Sequence, residues 1–292
     1  MRTWIMAARV RTLPAAVAPV LVGTALAVTQ DVFRVGAFIA ALLGALFIQV
    51  GTNLSNDYSD ARRGADTEDR LGPVRVTAGG LVPPRRVLIA TYVSFGLAVL
   101  CGLYLVAVAG VALLILGVLS IAAGVLYTGG PKPYGYEGLG EVFVFLFFGI
   151  VAVAGSTFAQ TEDWPAEAFV LAVPVGLLAA AILVVNNVRD LETDRRAGKR
   201  TLAVKLGRGG ARNLYAGMVY GAFLVAPVPW LLGSDVLGPW LLLPWLALPL
   251  AVSLVRLVRT HTDGPTLNAA LARTGILQLV FCILLSAGIV AS

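Results

Sequence analysis

Charge is scarce in this chain. Of 292 residues only 13% are Asp, Glu, Lys or Arg, against 58% hydrophobic, and the mean hydropathy is +0.86. A soluble domain carries about 25% charged and about 45–50% apolar residues. So little charge cannot cover a soluble surface of this size, which argues against a cytosolic or secreted globular protein. Disorder is excluded too, because disordered chains are polar and highly charged. Cysteine is limited to Cys101 and Cys282, both inside apolar runs, so neither a disulfide framework nor a thiolate metal site is available. The sole histidine, His261, rules out a histidine-rich metal centre and reads as an interfacial loop residue. Walker A and dinucleotide-binding glycine motifs are absent, and no Ser/His/Asp triad can be assembled. What remains is an all-α, polytopic membrane protein.

A membrane span needs roughly 20 mostly apolar residues. Nine candidates fit, near 13–29, 36–56, 87–108, 111–127, 141–160, 166–188, 214–232, 238–257 and 272–291, and they make one domain over 1–292. The start resembles a secretory signal, with Arg2, Arg9 and Arg11 before an apolar run, but reads as a retained first helix. Basic residues set the orientation. With the N-terminus cytoplasmic, 21 of the 22 Lys and Arg fall on one face, and only Arg34 falls on the other. That face carries three long polar connections, 57–86, 128–140 and 189–213, expected to cap a common site, and the C-terminus is expected outside. Three Lys against nineteen Arg, with abundant Ala, Gly and Val, suggest a high-GC bacterial source and hence a bacterial plasma (inner) membrane. The net charge of +6 then reflects orientation and phosphate handling, not nucleic-acid binding.

Eight of the sixteen acidic residues gather in two stretches. The first is Asn53-Leu-Ser-Asn-Asp57-Tyr-Ser-Asp60, continuing to Asp66, Glu68 and Asp69; the second is Asn186-Asn-Val-Arg-Asp190-Leu-Glu192-Thr-Asp194. On a helix Asn53, Asp57 and Asp60 share a face, as do Asn186, Asp190 and Asp194. Each set would present an amide and two carboxylates where an apolar span meets the polar face. Carboxylates this dense need a cation, and hard oxygen ligands suit Mg²⁺. A solvated charge run is the plainer reading for Asp66, Glu68 and Glu192. Asp57, Asp190 and Asp194 continue directly from spans, where ionisable groups are costly and usually functional.

Basic companions surround these acids, among them Arg62, Arg63, Arg70, Arg75, Arg189, Arg195, Arg196, Lys199 and Arg200. Charge balance or anionic lipid accounts for some of them. Interleaved acids and bases also fit a polyphosphate, with Mg²⁺ on the carboxylates and Arg or Lys on the remaining oxygens. Lys132, the only base in a Gly/Pro-rich loop, reads as functional on this argument.

At these residues the chain resembles the UbiA superfamily of intramembrane prenyltransferases. The matching stretches are Ala8–Pro19, Asn53–Asp60 running on to Asp69-Arg-Leu-Gly-Pro-Val-Arg75, and Asn186–Asp194 followed by Gly198–Gly207. Their wording is nearest to the MenA branch, the 1,4-dihydroxy-2-naphthoate prenyltransferases. One position departs: the superfamily's first motif often ends in a third Asp where this chain has Gly64, so Asp66 or Asp69 is the expected substitute.

The resemblance implies nine helices around a central cavity open to lipid. A polyprenyl diphosphate would bind there through Mg²⁺ to Asp57, Asp60, Asp190 and Asp194, with Arg70, Arg75, Arg189, Arg195, Lys199 and Lys132 on the phosphates. Ionisation would give an allylic cation that the electron-rich ring of an aromatic acid attacks; in this branch the ring carboxylate is lost and demethylmenaquinone forms. Tyr127, Phe143, Phe147 and Phe148 are candidates to face the cation, with plain packing as the alternative. Arg11 is the candidate for the acceptor carboxylate, the alternative being a membrane anchor. Gln49 and Asn53 could bond ring hydroxyls or ligate metal. The rivals are another aromatic acceptor, a cation-coupled transporter, whose acids would sit at mid-membrane, and a phosphatidyltransferase, whose acids would form one contiguous motif.

Overall fold

A computed structural model describes residues 2–65 and 71–292. Among them there is no strand, and ten helices run longer than a turn and a half, beside the single turns Val10–Thr12, Tyr134–Glu137 and Val228–Leu231. A short α1 (Arg2–Ala8) leads through a 3-10 turn (Val10–Thr12) into α2 (Pro14–Val28). Then follow α3 (Val35–Arg62), α4 (Pro84–Ala109), α5 (Ala112–Leu126), α6 (Gly140–Thr161), α7 (Ala166–Arg196), α8 (Leu202–Val225), α9 (Pro239–Thr260) and α10 (Gly264–Val290).

Six of these, α3, α4, α6, α7, α9 and α10, are long and apolar enough to cross a membrane, and α1 with α2 forms a seventh candidate bent by 47°. The other two expected spans differ for identifiable reasons. Helix α5 has only 15 residues. Helix α8 places Lys205, Arg208 and Arg212 in its first half and is broken at Gly207, whose φ of 70° is left-handed.

Helix α7 is the inner pillar: 72% of its most apolar window is buried, against 22% for α4, which faces outward. It packs on α2, α6, α8 and α10, while α3, α4 and α5 form the opposite wall. Helices α6 and α7 touch through glycine. A Cβ on Gly149 would stand 2.7 Å from the Cα of Gly176, so only glycine permits this approach. Gly149 lies in a π-helical turn, Leu146–Val151, which interrupts α6 beside the cavity.

Two of the three long polar connections, 57–86 and 189–213, are shorter than the sequence predicts. Helix α3 runs on to Arg62 and α7 to Arg196, so Asp57, Asp60 and the whole second acidic stretch lie on helix. Burial explains this: Asp57, Asp60 and Asp190 are enclosed by protein and paired there, and the backbone need not leave the helix to solvate them.

Candidate active site

Helices α2 to α7 surround a cavity of about 410 Å³. Two stripes of side chains converge on its polar end. Gln49, Asn53, Asn56 and Asp60 on α3 follow the steps +4, +3, +4; Leu183, Asn187, Asp190 and Asp194 on α7 follow the same steps. That progression keeps one helical face turned to the cavity over three turns. Asn186, Arg75, Tyr127, Thr128, Tyr136 and Lys199 complete this end. Deeper, the walls are apolar and aromatic, with Phe143, Phe147, Phe148, Leu103 and Leu116.

Asp60 is supported from two sides. It accepts from the Tyr136 hydroxyl at 2.5 Å and meets the Arg75 guanidinium at 3.4 Å. The Tyr136 segment is stitched in turn to the chain after α7: the Arg200 amide donates to the Tyr136 carbonyl at 2.8 Å, and Lys205 Nζ to the Glu137 carbonyl at 2.5 Å. The Lys199 ammonium lies 4.7 Å from the centre of the Tyr136 ring. Two basic groups, Arg75 and Lys199, thus stand beside Asp60 and Asp194 at one mouth.

The aromatic wall is a ladder. Tyr134 stacks on Phe143 with ring centres 4.0 Å apart, Phe147 follows at 6.1 Å, and Tyr127 meets Tyr134 edge-on at 5.5 Å. Tyr134 donates its hydroxyl to the Ala123 carbonyl at 2.8 Å, and burial pushes its phenol above the ordinary range, so it remains a protonated donor.

The amides near α1 have a further task. Asn53 Nδ2 donates to the Ala8 carbonyl at 3.0 Å and to Thr12 at 3.2 Å, and Gln49 Nε2 donates to Thr12 at 3.1 Å. They fix the break between α1 and α2, where Arg9 adopts a left-handed φ of 52° and lines the cavity with Thr12. A non-glycine residue held in that conformation is typical of functional sites.

Several sequence assignments land elsewhere. Arg11 is exposed and off the cavity, whereas Arg9, in left-handed backbone at the break between α1 and α2, lines it. Asp57 is buried but faces away from the cavity, its carboxylate accepting the backbone amides of Val76 at 3.1 Å and Thr77 at 2.9 Å. Lys132 is exposed at the tip of its loop. Arg195 is exposed and paired with Glu192 at 3.2 Å. Arg189 is 2% exposed and off the cavity, its fork closed on Asp190 at 2.8 and 2.5 Å, with Asn186 at 2.8 Å and Asn268 at 2.6 Å. Asp66, Asp69 and Arg70 fall outside the described residues.

Other cavity residues were missed. Asn56, which accepts from the Thr128 hydroxyl at 2.9 Å, has the i,i+4 relation to Asp60 that was credited to Asn53 and Asp57. Asn187 is held by the buried Glu141, which accepts from its Nδ2 at 2.8 Å; a lone acid opening an apolar span was the available signal. Nothing in the sequence spacing singles out Arg9 or Tyr136.

Among the described residues no three Asp, Glu, His or Cys side chains converge on one metal-sized point. The donor set is instead spread over two helices as hard oxygens, Asn53, Asn56, Asp60, Asn187, Asp190 and Asp194.

The chain is similar to known proteins along nearly its whole length. It is 42% identical to the 1,4-dihydroxy-2-naphthoate octaprenyltransferase of Mycobacterium tuberculosis, covering 96% of this chain and 94% of that one. It is 39% identical to the protein of the same name in Escherichia coli, covering 94% and 90%. Among solved structures, a UbiA homolog from Archaeoglobus fulgidus bound to DMAPP and Mg²⁺ shares the fold with a TM-score of 0.71 at 14% identity, over 99% of both chains. A homolog from Aeropyrum pernix gives the same TM-score at 17% identity, covering 96% of this chain and 97% of that one. The profile of the UbiA prenyltransferase family matches residues 16–287, and with these relatives it establishes that the chain belongs to that family.

Proposed function

We propose that this chain transfers a polyprenyl group from a polyprenyl diphosphate to 1,4-dihydroxy-2-naphthoate with loss of the ring carboxylate as CO₂, giving demethylmenaquinol, the hydroquinone form of demethylmenaquinone. One observation carries the reading: a single cavity joins carboxylates from two helices and two basic side chains at its mouth to an apolar, aromatic-lined chamber. High-identity relatives bearing that activity in their names favour this acceptor over other aromatic acids. A transporter is disfavoured, since the cavity's acids gather at one end.

The donor set suits Mg²⁺, which takes one or two carboxylates and fills its shell with phosphate oxygens and water. Asp60, Asp190 and Asp194 would hold it, with Asn53 or Asn56 as amide ligands. When bound, the ion neutralises charge on the diphosphate as it leaves.

The chain's own residues do the rest. Arg75 and Lys199 bind the outer phosphate oxygens, and Tyr136 holds Asp60 in place. The apolar walls keep water from the allylic cation formed when the C–O bond breaks. Tyr134, Phe143 and Phe147 present ring faces and edges along its path. The new C–C bond then forms at the aromatic ring, diphosphate departs and the carboxyl leaves as CO₂. Arg9 pairs with the acceptor carboxylate, with Thr12 and Gln49 beside it. We further infer nine membrane crossings, α2 through α10, in one domain, with the polar end of the cavity cytoplasmic.

The test is an assay of purified protein with one prenyl diphosphate and a panel of aromatic acceptors, with and without Mg²⁺. Decarboxylative prenylation of 1,4-dihydroxy-2-naphthoate that stops in EDTA is expected. Turnover of a different acceptor alone overturns the substrate assignment, and full turnover in EDTA removes the metal.

A further inference from the structure

The segment 71–82 passes the polar end of the cavity and delivers Arg75 into it. It is fastened at two points. Asp57 accepts its Val76 and Thr77 amides, as described above. The other fastening is Asn268, on the second turn of α10. One side-chain amide there makes two contacts: Oδ1 accepts from Arg189 Nη1 at 2.6 Å, and Nδ2 donates to the Leu71 carbonyl at 3.0 Å. Arg189 is the residue whose fork closes on Asp190. Asn268 therefore links the α7 acid pair to a segment that, four residues later, brings Arg75 to within 3.4 Å of Asp60.

The start of α10 is shaped for this contact. Asp263 caps the helix by accepting the Thr266 amide at 2.8 Å. Gly264 lies so close under Leu71 that a methyl group there would stand 3.2 Å from Leu71 Cβ and 3.3 Å from its carbonyl oxygen. The backbone of Leu71 thus rests against Gly264 while Asn268 bonds its carbonyl.

We propose that Asn268 is a positioning residue for the diphosphate. It sets the 71–82 segment in register with the Arg189–Asp190 pair, so that Arg75 and Asp190 face the same ligand from opposite walls. The inference rests on the reading of the cavity as a prenyl diphosphate site. Its physical basis is preorganisation: a guanidinium on a segment fixed at both ends loses less freedom when it binds an anion than one on a segment fixed at a single end. The acceptor end is held separately, Gln49 and Asn53 donating to Thr12, so it is expected to be unaffected.

The test uses full-length Asn268→Ala, Asn268→Asp and Gly264→Ala. Asn268→Asp keeps an acceptor for Arg189 but loses the donor to Leu71; Gly264→Ala lifts the segment without touching the amide. KM for the prenyl diphosphate is expected to rise about tenfold in both Asn268 variants, the scale of one or two lost hydrogen bonds, with the acceptor KM unchanged. A readout independent of turnover is amide hydrogen exchange in the unliganded protein. It should quicken over 71–82 in all three variants and stay as in wild type in the middle of α7. A lower melting temperature with unchanged diphosphate KM and unchanged exchange over 71–82 overturns the proposal. If Asn268→Ala does not fold, the other two variants decide by the same criteria. If wild type prenylates no aromatic acceptor, the diphosphate reading falls, while the exchange data still decide whether Asn268 fastens the segment.

Discussion

At the scale of single residues, one helical step separates a ligand from a support. Asp57 and Asp60 both looked like cavity residues, yet a rotation of 100° per residue takes Asp57 to the 71–82 segment and leaves Asp60 facing inward with Asn56. Asp60→Asn and Asp190→Asn are therefore expected to reduce prenyl transfer at least 100-fold, measured as turnover in detergent with donor and acceptor both present; near-wild-type rates for both would remove the two-helix anion site. Arg9→Ala should raise the acceptor KM and leave the diphosphate KM alone, while Arg11→Ala changes neither. The reverse pattern restores Arg11. The two arginines of the second motif differ more sharply. Arg189→Ala leaves Asp190 buried without its partner and should cost about 3–5 kcal/mol of stability, whereas the exposed Arg195→Ala should stay within about 0.5 kcal/mol; thermal unfolding of the two variants checks this. The sequence showed which residue types gather at the site, because acids beside apolar spans are rare. It could not show which of two neighbouring charges is buried in a pair and which faces a ligand, since that depends on partners as distant as Asn268, 79 residues beyond Arg189.

At the scale of elements, hydropathy located the helices well and their ends poorly. The stretches assigned to α3 and α7 stop at the first charges, yet both helices continue through them, because those charges are satisfied inside the protein. The same error occurs at the start of α8, which begins at Leu202 although the expected span begins at 214, and carries Lys205, Arg208 and Arg212 despite the break at Gly207. The left-handed Arg9 was illegible for a similar reason: Asn53 and Gln49, more than 35 positions away, hold the turn. The start of α10 yields a pH prediction. The Thr266 amide bonded to Asp263 holds that carboxyl below its usual value. Its contribution is thus fully present above the unfolded carboxylate pKa of about 3.9 and is lost as pH falls through the lower folded value. Asp263→Asn, which still caps, should flatten the dependence of melting temperature on pH below about 4 without changing it near pH 7. An unchanged acid limb would mean the cap adds nothing.

At the scale of the whole molecule, the two ends are built differently. The end opposite the acids is closed by Arg34, whose side chain bonds Glu162 at 2.7 Å and the Val108 carbonyl at 3.1 Å, while Gln160 accepts its backbone amide at 2.6 Å. The acidic end carries the basic residues that should face the cytoplasm. In a background with Cys101 and Cys282 replaced by alanine, a membrane-impermeant maleimide should label Arg195→Cys in inverted vesicles and Glu162→Cys in intact cells. The opposite pattern would invert the orientation. Fold class and the existence of one site were legible at this scale, because both follow from where so few charges lie.

The packing of α10 on α2 and α7 has a consequence for biogenesis. The helical ring shuts between an early and a late part of the polypeptide, and the site is finished from the late part. While the ribosome is still making α9, Arg189 and Asp190 have already been synthesised, but Asn268 and the seat for Leu71 do not yet exist. A nascent chain therefore holds Arg189 and the 71–82 segment each without one partner until its final helix arrives, and the polar end of the cavity is completed only at the last step of synthesis.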